Sequence, residues 1–195
     1  MLTHRSGTGP MAPAPRALTP FIAAVRRAVA AGTDPADTAQ RVATALLVSP
    51  PPATVVPQSG SRAGPRGQRL YVDPDGSFSI VGLRWRPGQS TRIHDHISWG
   101  AVGIVAGIER ETMFDASLSQ IGHTDYRAGE VTWFTPPGDI HQVANVATTA
   151  SVSIHVYGAD LRCASSSVRR YYQQPDGPGF LLTAPNGRTD ERTRQ

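Results

Sequence analysis

The chain has 195 residues and a formal charge of +4, enough for one domain with a sizeable core and too few for two. All 19 basic residues are arginine and gather at the ends: residues 1 to 69 carry +6, 70 to 161 carry −5 and 162 to 195 carry +3. An acidic centre with no basic helix or aromatic-basic platform speaks against nucleic-acid binding, and the single cysteine, Cys163, excludes an intrachain disulfide and a cysteine-built zinc site.

One cysteine fits a reducing compartment, and no apolar run has the length of a signal peptide or a membrane span, so a soluble cytoplasmic protein is expected. Residues 1 to 17, rich in Pro, Gly, Ser and Arg, hold too little apolar surface to pack and are expected to be a disordered tail. A helical segment and a Pro-rich connector follow over 18 to 67. Thr19 can cap the first helix with Pro20 at its first position, and Phe21, Val25, Ala28 and Val29 share one face before Gly32 ends it. Asp34 and Pro35 start a second helix, whose stripe of Ala39, Val42, Ala43, Leu46 and Leu47 runs until Pro50-Pro51-Pro52.

From residue 68 to 182 the texture changes to short β-prone runs between turn signals. The expected strands are Arg69 to Val72, Phe78 to Trp85, Arg92 to His96, Trp99 to Val105, Arg110 to Asp115, Tyr126 to Arg127, Val131 to Phe134, His141 to Asn145 and Ser151 to Tyr157. Even spacing with no helix between strands implies an all-β barrel or sandwich. Residues 183 to 195 read as a polar C-terminal tail.

Chemistry concentrates in three stretches. On a strand, alternate side chains share a face, so His94 and His96 project together while Asp95 points away. Gly88, Gly100 and Gly107 frame them as G-x5-H-x-H-x3-G-x6-G, and Pro136 to Asn145 reads P-x-G-x2-H-x3-N around His141. Three neutral imidazoles leave a divalent ion with open positions and its full charge. By ligand type alone, such a set suits iron(II) or zinc. In the third stretch, SVSIHVYG, the residues Ser153, His155 and Tyr157 alternate with Val152, Ile154 and Val156, giving one polar and one apolar face.

The two histidine motifs resemble those of the cupin superfamily, which implies a double-stranded β-helix barrel, or jelly roll, with the two helices packed outside it. With SIHVYG added in the same order, the pattern resembles the cysteine dioxygenase family of thiol dioxygenases. That resemblance implies a nonhaem iron(II) enzyme converting a small thiol to its sulfinic acid with O2. His94, His96 and His141 would hold the metal, and Ser153, His155 and Tyr157 would form a hydrogen-bonded relay with the Tyr157 hydroxyl beside the oxygen site.

Gly100 stands where four-ligand cupins carry Glu and where mammalian members carry a cysteine crosslinked to the tyrosine, so no such crosslink is expected and Cys163 does not replace it. In cysteine-selective members an upstream arginine pairs with the substrate carboxylate. Counting back without gaps from His94 reaches Gln68 at that position, with Arg69 beside it; if Gln68 faces the metal, Arg69 faces away. Glutamine there resembles the 3-mercaptopropionate dioxygenase subgroup, in which an arginine after the His-Val-Tyr strand engages the carboxylate, making Arg162, Arg169 and Arg170 the candidates. Two other readings stay open: a cupin oxygenase of another sulfur or carbon substrate, and a non-catalytic ligand-binding cupin.

Overall fold

The computed structural model describes residues 14–58, 66–164 and 166–173, so most of the expected N-terminal tail and the whole of the C-terminal tail lie outside the described residues. Two helices precede the strands: α1 over Thr19–Ala31 and α2 over Pro35–Val48. Asp34 caps α2, its carboxylate accepting the Ala36 and Asp37 amides, which satisfies two donors with no intrahelical partner. Thr19 does not cap α1. A 3-10 turn over Arg16–Leu18 runs straight into the helix and leaves Leu18 at the cap position with no side-chain bond. Leu47, expected in the buried stripe, is exposed, because the contact line of α2 runs through Ala39, Val42, Ala43 and Leu46.

Among the described residues ten strands follow: β1 (Arg66–Val72), β2 (Ser79–Trp85), β3 (His94–His96), β4 (Gly100–Ala106), β5 (Ile108–Phe114), β6 (Gln120–Arg127), β7 (Val131–Phe134), β8 (His141–Asn145), β9 (Ser151–Tyr157) and β10 (Val168–Tyr171). They form two antiparallel five-stranded sheets ordered β1-β2-β9-β4-β7 and β10-β3-β8-β5-β6, the facing sheets of a cupin jelly roll. Nine strands answer to expected runs. The tenth, β10, was not expected: its sequence, VRRY, has no apolar alternation, and pairing with β3 is what makes it a strand.

The main hydrophobic core lies between the helices and the first sheet. Phe21, Val25, Val42 and Leu46 meet Ile80, Ala101, Val152, Ile154 and Val156, all buried. Strand periodicity decides the rest. On β9 the valine and isoleucine face supports this core, so Ser153, His155 and Tyr157 turn into the space between the sheets. That space is a cavity of about 680 Å³. The helices thus seal the back of the sheet whose inner face carries the polar triad.

One irregularity redirects the opening of this cavity. The β1–β2 register runs Gly67 to Leu83, Gln68 to Gly82 and Arg69 to Val81, then jumps to Tyr71 opposite Ile80, leaving Leu70 as an extra residue. A bulge of this kind inverts the facing of everything beyond it. Gly67 and Arg69 therefore line the cavity with Val81 and Leu83. Gln68 lies on the other face, opposite Gly82, where an added Cβ would meet Val56 and Leu70.

Candidate metal centre

His94, His96 and His141 converge between the sheets, each buried, with one nitrogen of each lying within 4.8 Å of the others. The convergence follows from local structure. His94 and His96 share a face of β3, and β8 sets His141 directly opposite His94 in the antiparallel register. Each ring is held by its Nδ1. His94 Nδ1 donates to the Arg92 carbonyl at 2.9 Å, His96 Nδ1 to Asp139 Oδ2 at 3.0 Å and His141 Nδ1 to Glu111 Oε1 at 2.6 Å.

A carbonyl or carboxylate oxygen can only accept, so the hydrogen of each neutral ring sits on Nδ1 and the Nε2 lone pair is free. Burial, reinforced by His141 and His96, pushes His94 down to about 3. Burial lowers His96 as well, against the opposing pull of Asp139. His141 Nε2 is buried without a hydrogen-bond partner. Three imidazoles each held at Nδ1, one of them with an orphaned Nε2, fit a divalent cation, and the Asp139 and Glu111 contacts are the orienting carboxylates such sites employ. Asp139 also accepts the His96 amide at 2.9 Å, tying the P-P-G-D turn to β3. Sequence reasoning had passed over both carboxylates, although Asp139 lies inside the second motif and Glu111 is spaced to face inward on β5.

Beside the histidines stands the polar chain of β9. Tyr157 Oη is 2.9 Å from His155 Nδ1, His155 Nε2 is 2.9 Å from Ser153 Oγ, and Trp85 Nε1 donates to Ser153 Oγ at 3.2 Å. Burial pushes His155 down to about 3 and Tyr157 up to about 12, so both are neutral near neutral pH. The Tyr157 ring lies against His96, with centroids 5.7 Å apart, and Phe134 stacks on the same imidazole at 4.2 Å. Gly100 makes room for Phe134. A Cβ at Gly100, whose Cα partners are Phe134 and Tyr157, would overlap the Phe134 ring.

The arginines expected to meet a carboxylate separate into two groups. Arg169 and Arg170 do not line the cavity. Both donate to Asp95 Oδ2, at 2.6 and 2.7 Å, and Tyr172 joins them at 2.9 Å, because Asp95 points away from the histidines and β10 runs beside it. Arg162 lies at the cavity mouth, exposed and paired with Asp160 at 2.8 Å. Arg69, which the gapless count had turned away, lines the mouth and donates to the Leu161 carbonyl. Cys163 lies on the same rim, exposed and free. Of the remaining aromatic and histidine residues, Trp85 is a buried wall of the cavity, while Trp133 and His123 face solvent.

Among the described residues no helix is long and apolar enough to cross a membrane. Similar folds include a double-stranded β-helix protein from Klebsiella pneumoniae, with 16% identity, TM-score 0.45 and coverage of 52% of this chain and 83% of that one. A cupin 2 conserved barrel protein from Salinispora arenicola is 24% identical, with TM-score 0.41 and coverage of 50% and 78%. A cupin superfamily protein from Desulfitobacterium hafniense is 15% identical, with TM-score 0.43 and coverage of 55% and 87%. The family described as cysteine dioxygenase type I matches residues 66–173, which take in more than half the chain and every side chain of the metal centre and its neighbouring triad. By that match the chain belongs to the cysteine dioxygenase type I family, a family of cupin thiol dioxygenases.

Proposed function

We propose that this protein is an iron(II)-dependent dioxygenase that converts a small thiol bearing a carboxylate, cysteine or 3-mercaptopropionate, to the sulfinic acid. The observation that carries the reading is the metal-ready triad of His94, His96 and His141, each with Nδ1 occupied by an acceptor, beside the hydrogen-bonded chain of β9. When bound, iron(II) supplies Lewis-acid activation of the thiol and the redox centre at which O2 reacts with sulfur.

The chain's own residues account for the rest. Arg69 is the arginine at the cavity mouth that, among the described residues, holds no carboxylate, and its guanidinium suits the substrate carboxylate. Val81, Leu83 and Phe134 line the walls with apolar surface, which keeps bulk water from the reacting groups. Tyr157, oriented through His155 and Ser153, presents a hydroxyl that can donate to oxygen as negative charge grows there. Gln68 lies opposite Gly82 on the other face of β1, so the reading takes in cysteine and 3-mercaptopropionate alike.

The test is anaerobic reconstitution with iron(II), followed by oxygen-electrode assays over small thiols and product mass. Thiol-dependent O2 uptake with two oxygen atoms added to sulfur is expected. A different product mass would sustain an oxygenase of another substrate, and absence of turnover with an intact fold would sustain the non-catalytic reading.

A further inference from the structure

Glu109 has no part in the chemistry outlined above. It is 2% exposed, lines the cavity on β5, and neither of its carboxyl oxygens has a hydrogen-bond partner. A buried carboxylate in that condition is costly, and the group relieves the cost by keeping its proton. Burial pushes Glu109 up to about 7, with the nearby Ser151 and Ser153 hydroxyls pulling the other way. Those hydroxyls lie beside the carboxyl without reaching hydrogen-bond geometry, and Ser151 Oγ is orphaned too. A side-chain rotation or a bridging water would join Glu109 to Ser153.

Resting on the dioxygenase reading, we propose that Glu109 is a positioning residue at the inner end of the Tyr157, His155 and Ser153 chain, setting through Ser153 which way the chain's hydrogens point. The donor count leaves two arrangements. Ser153 Oγ already accepts from Trp85 Nε1, so one further lone pair and its own hydrogen are available. With Glu109 neutral, its O–H donates to Ser153, Ser153 donates to His155 Nε2, and His155 Nδ1–H donates to Tyr157 Oη, leaving the tyrosine hydrogen free to point out of the chain, toward the three histidines or the neighbouring Ser167 hydroxyl. With Glu109 ionised, Ser153 donates to the carboxylate, His155 Nε2–H donates to Ser153, and the Tyr157 hydrogen turns away to His155 Nδ1. The two states differ by one proton, released from Glu109 to solvent, and by the tautomer of a ring that is neutral in both.

Titratable groups that line the cavity with Glu109 include Glu111 from its own strand, Tyr126 from β6, His141 from β8, and His155 and Tyr157 from β9, the last of which feels the Glu109 charge directly. The neighbouring Trp85, Ile104 and Asn145 carry no charge.

The test reads the His155 tautomer by NMR in histidine-15N-labelled, metal-free full-length protein. The wild type is expected to pass from the Nδ1–H to the Nε2–H form as pH rises through about 7. Glu109→Gln, whose amide donates toward Ser153 and cannot ionise, keeps the Nδ1–H form throughout. A wild-type tautomer that does not change, or an identical change in wild type and variant, overturns the proposal. The wild-type titration decides the matter even if the variant fails to fold.

In the iron-loaded protein the wild-type kcat is expected to fall by about 100-fold above this transition, the scale of a lost acid–base contact, with KM little changed. Glu109→Gln removes that fall. Thiol oxidation without a tautomer switch defeats this inference alone, whereas a tautomer switch without thiol oxidation defeats the dioxygenase reading alone.

Discussion

Arg69 shows how much one residue's facing decides. Its partner at the cavity mouth is a backbone carbonyl, and among the described residues no carboxylate neutralises its guanidinium. Arg169 and Arg170 are both engaged by Asp95, and Arg162 by Asp160. Replacing Arg69 by Ala is therefore expected to lower kcat/KM for a thiol carboxylate by about 10- to 100-fold, the equivalent of about 1.5–3 kcal/mol for a charged hydrogen bond. A thiol of the same length without a carboxylate serves as the control and loses little. Arg169→Ala and Arg170→Ala are expected to leave kcat/KM near wild type. If Arg162→Ala carries the loss instead, the carboxylate sits on the other side of the mouth.

The same scale explains Gly100, which reads in the sequence as an absence of Glu or Cys. In the structure it is the space occupied by Phe134 against His96. Gly100→Ala is expected to cost about 1–3 kcal/mol of stability by overpacking, measured by urea unfolding. An unchanged midpoint would mean that the ring moves aside freely.

Among the elements, β10 is held largely by polar contacts. Asp95, 1% exposed in its side chain, gathers Arg169, Arg170 and Tyr172 on one oxygen and so fastens β10 to β3, the strand carrying His94 and His96. Burial opposes ionisation of Asp95, but the three donors outweigh it and hold its pKa below the ordinary carboxylate value. The lowered folded value means that this stabilisation is fully present above the unfolded pKa and is lost as pH falls through the folded one. Asp95→Ala is expected to lower stability by about 1–3 kcal/mol and to speed amide exchange in β10 more than in β9. Equal exchange in the two strands would remove the clamp from the account.

Legibility also varied by element. The helix start at Asp34 and strand β9 could be read locally, because a cap residue before proline and an alternation over seven residues are complete signals. β10 was missed for want of any periodicity, and β1 was read in the wrong facing because a bulge leaves no mark in composition.

For the whole molecule, acid stability follows from the buried ionisable groups. His94 and His155 are both pushed down to about 3 by burial, and His96 moves the same way. The unfolded chain therefore binds protons below about 6.5 that the folded chain refuses, and stability falls as pH drops. Glu109 has the opposite sign: the folded chain holds its proton up to about 7, so between its ordinary value and that point it favours folding on acidification. The metal-free protein is expected to lose stability below about pH 6.5, more steeply below about 4.5 where Glu109 no longer offsets the histidines. Glu109→Gln should steepen the upper part of the curve. Urea midpoints against pH check both, and a flat profile from 7 to 5 in the wild type and the variant would refute the assignment. Adding iron(II) at neutral pH should raise the midpoint, since the metal binds the folded triad alone.

The sequence by itself determined the two helices, nearly all the strands and the three converging histidines, because each depends on a period or a spacing contained within one short segment. The tertiary structure alone decided the rest. It placed Arg69 rather than Gln68 at the cavity mouth through a bulge, turned Arg169 and Arg170 onto Asp95 through the pairing of β10, set Asp139 and Glu111 behind the imidazoles, and left Glu109 buried beside Ser153. All of these are contacts between residues far apart in the chain. Their facing depends on the register between strands, which no single stretch of sequence carries.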